Sequence, residues 1–102
     1  MDINEYQEKI KEYINYPQEI GPYSTILSLM ENVGKLSEKL NTVLINDKGS
    51  FDKKSSLNVI ISIGDILFDI SNITRDIGYT MNDVISINLM KQSKKQEEKQ
   101  TL

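Results

Sequence analysis

At 102 residues and a formal charge of −3, the chain is one domain at most. A chain of this size buries only about two-thirds of its unfolded surface, so its own core is modest. It has no Cys, His, Trp or Ala, which removes thiol nucleophiles, histidine bases and zinc sites. With no basic patch outside the C-terminal tail, its charge argues against a nucleic-acid partner.

In chain order, apolar residues first recur at Ile3, Tyr6, Ile10, Tyr13 and Ile14, which predicts a helix over 3–16 with Asp2 as N-cap. Pro17, Gly21 and Pro22 break it. A second helix is expected from Tyr23 or Ser24, with its apolar line at Ile26, Met30, Val33, Leu36, Leu40, Val43 and Leu44. The turn "NDKGS" at 46–50 leads to a third helix from Asp52 or Ser55 to Ile77. Isoleucines cover most of its circumference, which predicts burial on several sides. One stripe differs: Asn58, Ser62, Asp65, Asp69, Asn72 and Asp76 step by three or four along one face. Gly78 suits a C′ position, and Thr80 with Asp83 resembles a capping box for a fourth helix from Met81 to about Lys91. The mixed-charge end, 92–102, reads as a flexible tail. The organisation expected is therefore a helical domain over 1–91 followed by that tail.

The acidic N-terminus lacks the apolar run of a signal peptide, and no stretch reads as a membrane span. A cytoplasmic location and no membrane partner are expected. The wealth of Ile, Asn and Lys suggests an AT-rich coding genome, such as that of a low-GC bacterium or its phage.

Four segments, "NEYQEKI" (4–10), "NVGKLSEK" (32–39), "SIGDILFDI" (62–70) and "GYTMNDVISINLMK" (78–91), together resemble the MazG-like all-α nucleoside triphosphate pyrophosphohydrolases. "NVGKLSEK" (32–39) follows the family's E-x-G-E-L-x-E-K, and "SIGDILFDI" (62–70) follows E-x-G-D-[IV]-L. "GYTMNDVISINLMK" (78–91) fits G-[IY]-[ST]-x-[ED]-[ED]-[VI] with N-x-x-K, and "NEYQEKI" (4–10) looks like the family's Y-Q opening. The resemblance implies an all-α, MazG-like bundle of about four helices whose core is completed by dimerisation. It implies a homodimer or a higher homo-oligomer.

The family's four metal-site carboxylates fall on Asn32, Lys35, Ser62 and Asp65, and only Asp65 is acidic. In the family, magnesium bridges the triphosphate to those carboxylates and helps activate water. One unit-charge pair near 4 Å is worth about 4 kcal/mol at an effective dielectric of about 20. Replacing four carboxylates by this set should abolish the site. The resemblance thus implies a non-catalytic protein with no cofactor, acting by binding another protein, for example a host factor if the source is a phage. Lys35 and Asp65 would face one another across two helices as an ion pair, or else stay solvated and apart. Lys35 could instead hold a phosphate without metal, as a nucleotide sensor. The enzyme alternative is a magnesium-dependent pyrophosphohydrolase rebuilt from Asp65, Asp69 and Glu38. Asn88 and Lys91 occupy the family's phosphate-side positions, and an inherited scaffold role is favoured for them. Asp69 and Asp76 read as a solvated groove, Glu31 lies off the aligned positions, and Tyr6, Tyr13, Tyr16 and Tyr23 read as core or interface residues.

Overall fold

The computed structural model describes residues 1–15, 17 and 19–100. It is all-α, with no strand among the described residues. Helix α1 spans Ile3–Lys9, α2 Gly21–Asn46, α3 Lys53–Asp76 and α4 Met81–Gln100.

Local chemistry sets most of the ends. The Asp2 carboxylate accepts the Glu5 amide at 2.8 Å, so it caps α1 as the sequence suggests. The helix tightens into a 3-10 turn at Ile10–Tyr13 instead of running on to residue 16. Pro22 sits in the first turn of α2, where its missing N–H costs nothing, so α2 begins at Gly21, slightly earlier than expected. Lys48 and Gly49 take positive φ in the turn before α3. Asp52 and Ser55 exchange hydrogen bonds as a capping box for α3. Gly78 (φ 91°) ends α3 while the Tyr79 amide returns to the Thr74 carbonyl at 3.0 Å, a Schellman closure. Thr80 and Asp83 box the start of α4. That helix then continues to Gln100, well past the expected end. Lys, Gln and Glu are good helix formers, and nothing after Lys91 breaks the run.

The long helices α2 and α3 form an antiparallel hairpin. Ser28 and Asn32 of α2 meet Asp69 of α3, and Lys39 reaches the Asn58 carbonyl near the other end. α1 lies against α3 and α4. Of the expected apolar line of α2, Val43 is buried and Leu36 half-buried, but Ile26, Met30, Val33, Leu40 and Leu44 are exposed; Thr25 is the other buried residue of the helix interior. On α3, Leu57, Ile60, Ile61 and Ile63 are exposed, so in a single chain the isoleucine-rich helix is covered on one side only along its first half. Buried apolar side chains among the described residues are Ile10, Val43, Val59 and Met81.

The dimensions agree. The radius of gyration is 16.8 Å, against about 13 Å for a compact chain of this length. The accessible surface is 7923 Å², against roughly 5,900 Å² for a folded monomer of this mass. By length and a mean hydropathy of 1.4, α3 is also apolar enough to cross a membrane, contrary to the sequence expectation. The core helix of a soluble protein meets the same two criteria, so they do not separate the two settings.

Candidate functional site

Polar side chains of α2 and α3 meet along one seam of the hairpin. Asn32 and Lys39 of α2 contact Asp69 and Asn58 of α3. Lys35 stands between the first two along α2, and Ser62 and Asp65 stand between the second two along α3. Small polar side chains allow the helices to close there: Ser62 is buried at 3% exposure.

Asp69 is the fixed point of the seam. It is 3% exposed, and one carboxylate oxygen accepts both the Ser28 hydroxyl at 2.9 Å and the Asn32 amide at 2.8 Å. The expectation of a solvated Asp69 is therefore corrected. A carboxylate taken out of water needs donors, and α2 supplies two neutral ones. Asn32 also approaches the Ser28 hydroxyl at 3.4 Å, so the three side chains form one network.

The Lys35–Asp65 ion pair does not form. Lys35 binds Glu31 of its own helix at 3.1 Å, with both side chains more than half exposed. An i,i+4 partner needs no ordering of a second element, which favours it over a cross-helix one. Asp65 is exposed on the seam. Tyr6 comes over from α1: its phenol is pushed above the usual tyrosine value by burial first, and then by the charges of Asp65 and Asp69. No group of three or more Asp, Glu, His or Cys side chains able to hold a metal occurs among the described residues.

Asn88 and Lys91 lie elsewhere. With Thr74, Ile77, Tyr79 and Val84 they line a cleft of about 410 Å³ between the end of α3 and α4. It is mainly apolar and shares no residue with the seam.

The residue that sequence reasoning underrated is Gln7. Its amide donates to the Ser71 carbonyl at 3.3 Å and the Tyr79 carbonyl at 3.1 Å, and its Oε1 accepts the Met81 amide at 3.0 Å. Its own carbonyl takes the Arg75 guanidinium at 3.2 Å, and Arg75 reaches on to Asn72 at 2.6 Å. Gln7 therefore pins α1 to the α3–α4 corner and helps start α4. The signal was its place four residues after Ile3 and three before Ile10, on the inward stripe. Of the tyrosines, Tyr6 is half-buried, whereas Tyr13 and Tyr23 are exposed, not core; Tyr16 lies outside the described residues.

Comparison of the chain with protein-family models, curated proteins and solved structures returns no match.

Proposed function

We propose that this chain is a catalytically degenerate MazG-like protein that assembles with itself and acts by binding another protein. The observation that carries the reading is the Asn32–Asp69 contact. At the position where the resembled family places a metal-binding carboxylate, Asn32 instead donates to a buried acid of the facing helix. The position three residues on holds Lys35, a cation paired with Glu31 of its own helix, where the resembled family has a second carboxylate. The excess of exposed apolar side chains on α2 and α3 supports a role in binding. It also supports a homodimer or higher homo-oligomer.

The test is direct. Purified protein is incubated with magnesium or manganese and a panel of nucleoside triphosphates, and pyrophosphate release is measured. No release is expected, and millimolar magnesium should move the melting temperature no more than sodium chloride of equal ionic strength. Robust metal-dependent turnover would sink the proposal. A second reading, a metal-independent nucleotide sensor, is favoured by the cleft that Asn88 and Lys91 line. Calorimetric titration with a nucleoside triphosphate in chelator decides it. Binding that Lys91→Ala abolishes would establish the sensor.

A further inference from the structure

Gly34 and Gly64 each lie inside a long helix, Gly34 in α2 and Gly64 in α3. Neither takes a positive φ. A Cβ added at either position would meet nothing within 4 Å, so no close contact within the chain calls for a glycine. Yet at an exposed helix interior Gly is disfavoured against Ala by about fivefold in the folding equilibrium.

Both sit among exposed apolar side chains. Gly34 is adjacent to Val33 and one turn from Met30; Gly64 is one turn from Ile60 and Ile61. The chain exposes 7923 Å² against roughly 5,900 Å² for a folded monomer of its mass, an excess larger than the ~800 Å² per partner that a stable interface needs, and exposed apolar side chains of α2 and α3 contribute to it. Ile10, Val43, Val59 and Met81 are the buried apolar residues among those described, so a partner would add burial, and a second copy of the same chain is the simplest one by symmetry.

Building on the self-assembly proposed above, we infer that Gly34 and Gly64 mark where helices of a second copy pass closest to α2 and α3. A missing Cβ lets two helix backbones approach, and the flanking apolar side chains then close around the crossing. An added methyl group holds the helices apart or forces neighbouring side chains off their rotamers.

The sign of an alanine substitution tests this. Gly34→Ala and Gly64→Ala are compared with the parent by sedimentation over a dilution series and by urea unfolding at fixed concentration. The inference expects each dimer dissociation constant to rise tenfold or more and the unfolding midpoint to fall. If the parent dimerises but the variants assemble equally well and unfold at higher urea, the glycines are not contact points and this inference fails alone. A parent that stays monomeric at micromolar concentration overturns the assembly reading as well. Should Gly64→Ala be recovered only as unfolded chain, raising its concentration restores helicity if the lost contact is between chains; failure to do so counts against the inference.

Discussion

Replacing Asn32 by aspartate tests the seam directly. Asn32→Asp keeps size and reach, and turns the donor into an acceptor that carries a negative charge. The Asn32 amide stands 2.8 Å from a carboxylate oxygen of Asp69, which is 3% exposed. Losing a hydrogen bond to a charged acceptor costs about 1.5–3 kcal/mol. A second carboxylate at this range adds repulsion of up to about 4 kcal/mol at an effective dielectric of about 20, reduced because position 32 is half-buried and partly solvated. The net expectation is a loss of about 4 kcal/mol at pH 7. Two carboxylates in contact share a proton, so one folded-state pKa rises. For an acid whose folded pKa is raised, the penalty is full above that value and vanishes below the unfolded value of about 4. Urea unfolding followed by circular dichroism, at pH 7 and again near pH 4 with protein concentration held constant, reads both effects. An Asn32→Asp variant as stable as the parent at pH 7 would refute the seam as described.

Gln7→Ala strips partners from the Ser71 and Tyr79 carbonyls and the Met81 amide at once, and should lower stability by about 3 kcal/mol in the same assay. Lys35→Glu replaces an exposed pair with Glu31 by a like-charge pair and should cost about 1 kcal/mol or less; a loss several times larger would mean that Lys35 meets Asp65 after all. Asp52 is held below the usual aspartate value, chiefly by the Ser55 amide. Its capping contribution is therefore present above the unfolded pKa and lost as pH falls through the folded one. Asp52→Ala should lower the thermal midpoint at pH 7 and leave the midpoint less sensitive to acid.

The helices and most of their starts were legible because they rest on local chemistry, whereas the C-terminal ends of α1 and α4 were not. Asp2, Asp52, Gly78 and the Thr80–Asp83 pair each act within a few residues of themselves, and a single sequence contains all the partners they need. The faces were harder to read. On α3, isoleucines at 60, 61, 63, 66 and 70 leave little periodicity to say which side is covered. Packing decides it: Ser62 and Asp69 turn to α2, and Ile60, Ile61 and Ile63 turn out. Lys35 had an acid on either side of a choice, Glu31 on its own helix and Asp65 on the next. Nothing in spacing alone separates them; the cost of ordering a second element does. Of the four candidate positions, Asn32 meets α3 and Ser62 is buried, while Lys35 and Asp65 are exposed; the buried anchor of the seam, Asp69, had read as a member of a solvated stripe.

The interior of the single chain is polar to an unusual degree. Gln7, Thr25, Ser62, Asp69, Ser71, Asn72 and Thr74 are buried beside only a few apolar residues. Hydrogen bonds such as those of Gln7 and Asp69 orient the helices, yet each adds only about 1 kcal/mol net, because water offered the same groups partners in the unfolded chain. They can select one register of α2 on α3, but they supply little of what ordering the chain costs. The apolar side chains that could supply it lie on the outer faces of α2 and α3. On the proposed assembly, the work is therefore divided between two surfaces of the same helices. The polar seam fixes how α2 meets α3, and the outer faces, joined to those of a second copy, provide the burial. On that assembly the seam is coupled to self-association: loosening Asn32 from Asp69 lets α2 move against α3 and changes how their two outer faces stand relative to one another. Dissociation of the dimer by a seam substitution, with no change made to the outer face, is the behaviour this coupling requires.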